Sequence, residues 1–156
     1  MKFAASLLLV LGAVAAAAQP GPEVQVRAEF QRCISAFTGG DADTFTGCFA
    51  EDITLFNPEI PQAPTLHRMD GRAAVAAYFR GLIEDAHRLT DKPPYFNVQP
   101  KNVAVQMLGN AALVTFEFDR EGGSLGRRSF VFAQRDKHWL IVHIHASNTA
   151  GRGSIH

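Results

Sequence analysis

The chain contains a clearly alternating run, Ala111–Arg120, which reads AALVTFEFDR. In an extended strand Val114, Phe116 and Phe118 fall on one face, and the polar residues between them fall on the other. A strand with one apolar face is typical of an antiparallel sheet that has its core on one side only. The run therefore predicts such a sheet.

Three further strand-like runs surround this one, and short turn sequences separate them. Gly109-Asn110, residues 121–124 and residues 136–138 contain Gly, Asn or Asp, which favour tight turns between antiparallel strands. An earlier short run, Ile53–Asn57, also has the composition of a strand. The runs in the second half of the chain are Phe96–Leu108, Ala111–Arg120, Gly126–Arg135 and Trp139–Ser147. They predict an antiparallel sheet.

Helical spacing dominates the first half of the chain. Val24–Phe37 places apolar residues three and four apart, and Asp43–Phe49 does so over a shorter length after a turn whose Asp41 can cap it. We expect Asp70 to cap a third helix, Gly71–Leu89. Because the helices come first and the antiparallel strands last, the fold class is predicted to be α+β, with helices covering one face of the sheet.

The first residues have the pattern of a secretory signal peptide. Lys2 is followed by an apolar run, Phe3–Val14, and by small residues up to Ala18. The apolar run is shorter than the roughly 20 residues of a membrane span. We therefore expect cleavage, export to the periplasm or the medium, and no membrane partner; an uncleaved anchor is the alternative. The predicted segments are a signal peptide (1–18), a leader (19–23), one domain (24–147) and a flexible tail (148–156).

Charge and cysteine content narrow the partners and the redox state. Fifteen basic and fifteen acidic residues, with no basic cluster, argue against nucleic-acid binding. Cys33 and Cys48 lie at similar distances from the turn that joins the first two helices. In an exported protein this placement predicts a disulfide. Two buried free thiols are the alternative.

Five short stretches carry a family resemblance. They are Gly40-Asp41, CFAEDIT at 48–54, Asp70-Gly71, Arg135-Asp136 and WLIVH at 139–143. In this order they resemble the nuclear transport factor 2-like superfamily in its SnoaL-like branch, and the last is similar to the end of the association domain of calcium/calmodulin-dependent protein kinase II. The resemblance implies a cystatin-like roll, in which a curved antiparallel sheet wraps around helices and forms a cone with a pocket.

The resemblance does not extend to the catalytic residues of ketosteroid isomerase, one enzyme of this superfamily. The position of that enzyme's base falls on Asn57, whose amide cannot take up a proton. The position of its oxyanion-binding tyrosine falls on Cys33. Its second donor falls within residues 130–133, which contain no acid. We therefore do not expect isomerase chemistry of that kind.

The resemblance to the kinase association domain also implies a pocket lining. The arginines that bind small carboxylates in that domain fall on Phe118, Phe130 and Ala146, so we expect that charge to be lost. Arg127 and Arg128 end a hairpin and are expected to be solvated. We expect the protein to bind a small, mainly apolar molecule, without a cofactor; a core filled by the same side chains is the alternative. The predicted lining is Asn57, Tyr78, Phe79, Phe116, Phe118, Phe130, Phe132, Val142 and Ile144.

His143 and His145 raise the question of a metal site. Residues i and i+2 of a strand share a face, so the two imidazoles could hold one ion, with Glu117 or Asp119 as a third ligand. The resemblance instead implies that they lie on the outer sheet face, where such domains often pair. We expect this second role, in a homodimer or a larger assembly. The residues predicted to share the outer face are Trp139, Ile141, His143, His145 and Ser147.

Two other functions stay open. His67 lies in a Pro-rich loop and could act as a general base beside the pocket, together with Tyr78 or Tyr95. The protein would then be an isomerase, cyclase or dehydratase acting on a small hydrophobic substrate. The other alternative is a pure oligomerisation domain.

Overall fold

The architecture follows the predicted order of helices and strands in a computed structural model, which describes residues 20–57 and 68–149. These residues form three α-helices and six strands, which confirms the α+β prediction. The elements are α1 (Pro22–Thr38), α2 (Ala42–Thr46), β1 (Phe49–Phe56), β2 (Met69–Asp70), α3 (Arg72–Leu89), β3 (Lys101–Leu108), β4 (Ala111–Asp119), β5 (Leu125–Arg135) and β6 (His138–Asn148).

The six strands form one curved sheet in the order β2-β1-β6-β5-β4-β3. The strands from β3 to β6 follow one another through short turns, and each is antiparallel to its neighbour. The pair formed by β1 and β6 departs from the antiparallel prediction, because these strands are parallel. A helix and four strands separate them along the chain, so no hairpin imposes opposite directions.

Rows of opposed side chains cross the inner face of the sheet. Val114 on β4 lies opposite Phe130 on β5, which lies opposite Ile144 on β6, which in turn lies opposite Leu55 on β1. All four are buried, because α1 packs on this face. The Phe30 ring of α1 meets the Phe130 ring edge to face, with centroids 6.2 Å apart.

A bulge in β6 corrects two predictions. Val131 pairs with His143, whereas the next residue of β5 pairs with Ile141, so Val142 is an extra residue. The bulge reverses the alternation. Trp139 and Ile141 are therefore buried in the core, at 5% and 0% exposure, and do not share the outer face with the histidines. Val142 has no place in the inner rows, so its predicted position in the pocket lining is wrong.

The helix caps match the prediction at one helix and not at another. The Oδ1 atom of Asp41 accepts the backbone N–H of Thr44 at 2.9 Å and caps α2, as predicted. Asp70 does not cap α3. It belongs to the short strand β2, its carboxylate accepts hydrogen bonds from Arg68, and Gly71 occupies the N-cap position with φ +83°. The start of α3 therefore depends on a glycine with a left-handed backbone conformation.

The predicted disulfide is present. It joins Cys33 on α1 to Cys48 before β1, with the Cα atoms 6.2 Å apart, and both residues are 0% exposed. The alternative of two free thiols therefore does not apply. A bond that closes a loop of about 15 residues stabilises a fold by about 3 kcal/mol in the chain-entropy model.

The ends of the domain differ slightly from the predicted segments. Helix α1 begins at Pro22, inside the predicted leader, since proline is favoured in the first turn of a helix. At the other end Asn148 belongs to β6, and the N–H of Thr149 donates to the Leu125 oxygen. The predicted signal peptide, 1–18, lies outside the described residues. Within the described residues, no helix has the length and apolar character needed to cross a membrane.

Candidate ligand-binding cavity

A cavity of about 210 Å³ lies between the inner sheet face and the helices. Its lining is mainly aromatic and aliphatic. The apolar lining residues are Ile34, Phe37, Phe45, Leu55, Phe79, Leu82, Val98, Phe116, Phe118, Phe130, Ile144 and Ala146. The polar lining residues are Asn57, Tyr78, Arg120, Arg128 and Asn148. A single apolar chamber therefore contains a few convergent polar groups, which is typical of small-molecule sites.

The polar residues enter the cavity because strand alternation continues past the apolar rows. Arg128 follows the inward parity of β5 and lies between Phe116 on β4 and Ala146 on β6. Asn148 continues the parity of β6 in the same way, and Asn57 directly follows β1. One end of the inner face is consequently apolar, and the other end carries polar side chains.

Arg128 is held in place by neutral partners. Its Nη1 atom donates to the backbone oxygens of Arg127 at 2.8 Å and Ser147 at 2.9 Å, and lies 3.4 Å from Oδ1 of Asn148. The guanidinium carbon lies 4.9 Å from the centroid of the Phe118 ring, within cation–π distance. The prediction that Arg128 is solvated is wrong, because the side chain is partly buried and lines the cavity.

Gly126 makes room for this arrangement. It lies directly opposite Phe118 in the ladder between β4 and β5. A Cβ atom at Gly126 would approach ring atoms of Phe118 to between 2.3 and 2.8 Å, closer than real Cβ contacts. The glycine therefore lets the Phe118 ring lie across the strand, where it contacts the guanidinium of Arg128.

The positive charge of Arg128 is poorly compensated. Burial, and then the nearby cation of Arg120, lower the pKa of Arg128 to about 10, with a smaller opposite effect from Tyr78. The group is still protonated at neutral pH. The direction of the shift means that its surroundings disfavour the cation relative to water.

Tyr78 and Asn57 form a second polar group in the cavity. The Asn57 amide donates to the Tyr78 hydroxyl oxygen. Burial raises the pKa of Tyr78, although the bond from Asn57 and the charge of Arg128 oppose this. Tyr78 is therefore a neutral phenol near pH 7. Since its oxygen already accepts a hydrogen bond, its own proton remains free to donate to a bound molecule.

The predicted lining residues fall into two groups. Those that line the cavity are Asn57, Tyr78, Phe79, Phe116, Phe118, Phe130 and Ile144. Phe132 and Val142 do not line it: Phe132 is fully buried at 0% exposure, and Val142 lies in the bulge.

The residues predicted for catalysis are not brought together in the described part of the chain. Tyr78 lies in the cavity. Tyr95 lines an adjoining surface depression instead, and its ring stacks on that of His87 with centroids 4.1 Å apart. The backbone N–H of Tyr95 donates to the backbone oxygen of Thr38, which holds Tyr95 against the end of α1. His67 lies outside the described residues.

His143 and His145 lie on the outer sheet face. Nδ1 of His143 is 2.6 Å from Oγ1 of Thr54 on β1. Burial, then His145, then Arg68 lower the pKa of His143. In residues 20–57 and 68–149, the grouping of potential metal ligands that lies close enough for one ion is Glu29 with Cys33 and Cys48, whose sulfurs are bonded to each other.

The important residues that the sequence interpretation missed are Arg120 and Arg128. The signal for both is the alternation itself. Arg128 stands two residues before Phe130, and Arg120 stands two residues after Phe118. Both therefore have the parity of the inward phenylalanines, and the proximity of the hairpin concealed this.

Comparisons with known proteins agree with this architecture. The sequence model for the SnoaL-like domain matches residues 26–151. A nuclear transport factor 2-like protein of unknown function from Pseudomonas putida is 18% identical with a TM-score of 0.65, over 80% of this chain and 84% of that chain. A proposed ketosteroid isomerase from Parabacteroides distasonis is 19% identical with a TM-score of 0.59, over 80% and 85%.

The association domain of the C. elegans calcium/calmodulin-dependent protein kinase II is similar as well. It is 20% identical with a TM-score of 0.57, over 80% of this chain and 94% of that domain. No curated protein sequence gives a significant match. At these identities the solved structures establish the fold.

Proposed function

The chain belongs to the SnoaL-like domain family of nuclear transport factor 2-like proteins, and from this premise we propose that it binds a small, mainly apolar molecule inside the cone. The observation that carries the proposal is the cavity of about 210 Å³ with aromatic walls. Protein interiors are close-packed, and voids larger than a water molecule are few. A chamber of this size therefore favours a ligand site over a filled core.

The size of the cavity limits the ligand to a small body, of one ring or two fused rings, with a short substituent. An apolar cavity of about 150 Å³ accepts benzene, and drug-sized ligands need about 300 Å³ or more. Phe116 and Phe130 line the cavity from the sheet, and Phe79 lines it from α3. Aromatic side chains on both layers suit a flat, apolar body, and the Tyr78 hydroxyl offers one hydrogen bond.

Binding without chemistry agrees best with the groups that line the cavity. Its titratable residues in the described part of the chain are Tyr78, Arg120 and Arg128. A neutral phenol and guanidinium groups do not take up a proton near neutral pH, so these side chain types do not serve as a general base. An isomerase, cyclase or dehydratase would need a base from elsewhere, and His67 is the candidate that the sequence offers.

We also propose that this protein is exported from the cytoplasm and that it self-associates. Export is supported by the signal-like start of the sequence and by the disulfide, since disulfides persist in oxidising compartments. Self-association is supported by the outer sheet face, where Phe56 is 37% exposed, and by the fold shared with a kinase association domain. Sedimentation equilibrium of the secreted protein tests it, and a monomer at every concentration would contradict it.

Indole titration tests the proposed function. Indole is small, flat and neutral, and calorimetry is expected to detect one site per chain. Ala146→Phe places a ring in the cavity from β6 and should weaken binding by about tenfold or more, since it displaces the ligand. The matched control is His145→Phe, which places the same ring on the exposed outer face and should leave binding unchanged. Absence of indole binding, or equal loss in both variants, counts against a ligand in the cone.

A further inference from the structure

Resting on the proposed function, we propose that the ligand carries a carboxylate and that the guanidinium of Arg128 binds it. The ligand would then be a small organic acid with an aromatic or aliphatic body. The apolar rows receive the body, and the polar end of the inner face receives the acid. The charge of the cavity, which the proposed function does not specify, points to such an acid.

The ion pairs of the protein single out the two arginines of the cavity. The other arginines in residues 20–57 and 68–149 each have a carboxylate partner: Arg27, Arg32, Arg68, Arg72, Arg80, Arg88, Arg127 and Arg135. Within the same residues Arg120 and Arg128 have none, and both line the cavity. The chamber therefore holds two cations without an acidic residue among its described lining.

The orientation of Arg128 leaves one edge of its guanidinium available. All three of its hydrogen-bond contacts involve Nη1. Nε and Nη2 have no partner in the described residues. Those residues contain no fully buried polar side-chain atom without a partner, so the two nitrogens reach open space. An edge formed by Nε and Nη2 matches the two oxygens of a carboxylate.

The guanidinium also has contacts that hold it in place before any ligand arrives. The backbone oxygen of Ser147 and the Phe118 ring fix its position, and Gly126 permits that ring position. A preorganised donor binds more tightly, because less side-chain freedom is lost on binding. Partial burial increases the benefit, since a paired charge in a low-dielectric site is stabilised more than one in water.

The location of this charge differs from that implied by the kinase association domain. That resemblance places its carboxylate-binding arginines on Phe118, Phe130 and Ala146, all of which are uncharged here. Arg128 is the next inward residue of β5 beside Phe130. The cavity of this protein therefore does contain a cation, but on a different row of the sheet, nearer the polar end.

Matched acids and amides test the inference. Calorimetry at low salt would compare benzoate with benzamide and 3-phenylpropionate with 3-phenylpropanamide. We expect each acid to bind about tenfold or more tightly than its amide, as for a charge-assisted, bidentate hydrogen bond. Arg128→Gln should reduce this preference to about twofold or less, and Arg120→Gln should reduce it less, because it acts mainly through the field. The matched control is Arg127→Gln, whose side chain points outward and pairs with Glu117.

The outcomes separate this inference from the proposed function. Equal binding of acid and amide to the unchanged protein, or an acid preference that survives Arg128→Gln, overturns the carboxylate site while indole binding still supports a ligand cavity. Failure of the acids, the amides and indole together overturns both. If Arg128→Gln does not fold, Arg128→Lys takes its place. It keeps the charge and loses the bidentate edge, so an acid preference equal to that of the unchanged protein would overturn the bidentate contact.

Discussion

On β5, Phe132 and Val131 are neighbours in sequence, yet they meet different surroundings. Phe132 points into the inner face and is 0% exposed, because helices cover that side. Val131 points outward between Leu113 on β4 and His143 on β6, and all three are only partly buried. The contrast shows that alternation assigns each residue to a face, while the layer packed on that face determines what the residue contributes.

The inner face itself contains a second contrast. The row that includes Phe132 and Ile141 is filled, with both residues at 0% exposure. The row that includes Arg128 and Ala146 borders the cavity instead. The filled row supplies stability, and the open row supplies binding groups. Substitutions in each region would show how far the two regions act separately.

The largest effect is expected from Phe132→Ala. Removing a fully buried ring leaves a cavity in a packed row, so the free energy of unfolding should fall by about 3–5 kcal/mol. The matched outer-face change, Val131→Ala, should cost about 1 kcal/mol or less. Urea denaturation of the two variants at low protein concentration measures both.

The same two variants also test whether self-association buries the outer face. If self-association buries Val131, the cost of Val131→Ala should rise with protein concentration, whereas the cost of Phe132→Ala should depend on it much less. Similar costs for both substitutions at high dilution would contradict the assignment of the two residues to different faces.

The alternation made most of the sheet and the aromatic residues that line the cavity from the sheet predictable, but not the volume of the cavity. The run around Phe116 has period two and neighbours with clear turns, so its strand and its buried face follow from the sequence. The bulge at Val142 does not, because valine is an ordinary strand residue and the extra position arises from pairing with β5. The inward position of Arg128 can be predicted from strand alternation alone. The volume of the cavity cannot, because it depends on how α1 and α3 pack on the sheet.

A smaller effect is expected from Gly126→Ala, which tests how the open row is arranged. The added methyl group would meet the Phe118 ring at less than 3 Å. Relieving this overlap should cost about 1–3 kcal/mol of stability and move the ring away from Arg128. Urea denaturation gives the stability, and the preference for benzoate over benzamide reports the position of the guanidinium.

A double-mutant cycle provides the control for Gly126→Ala. In a Phe118→Ala background the ring is gone, so adding Gly126→Ala should have little further cost. An equal cost in both backgrounds would mean that Gly126 acts through the backbone of the strand, and the proposed link from Gly126 through Phe118 to Arg128 would be wrong.

The smallest effect is expected on the outer face, from the titration of His143. Burial and the neighbouring His145 lower the pKa of this imidazole in the folded protein, so the unfolded chain takes up the proton more readily. The free energy of unfolding should therefore fall as the pH drops below the unfolded value of about 6.5 and level off below the folded pKa. Urea denaturation between pH 7.5 and pH 5, as an order-of-magnitude range around that value, measures the slope.

His143→Asn should flatten this part of the pH profile, because the amide does not titrate yet can still bond to Thr54. His138→Asn is the matched control, since His138 lies exposed at the start of the same strand. If the histidine pair held a metal ion, acidification would release it and His143→Asn would abolish a zinc-dependent gain in stability. A flattened profile without such a gain fits the hydrogen-bonded outer face, whereas an unchanged profile would mean that His143 is as well solvated when folded as when unfolded. The sheet's two faces would then differ in packing alone and not in the pH response of their polar residues.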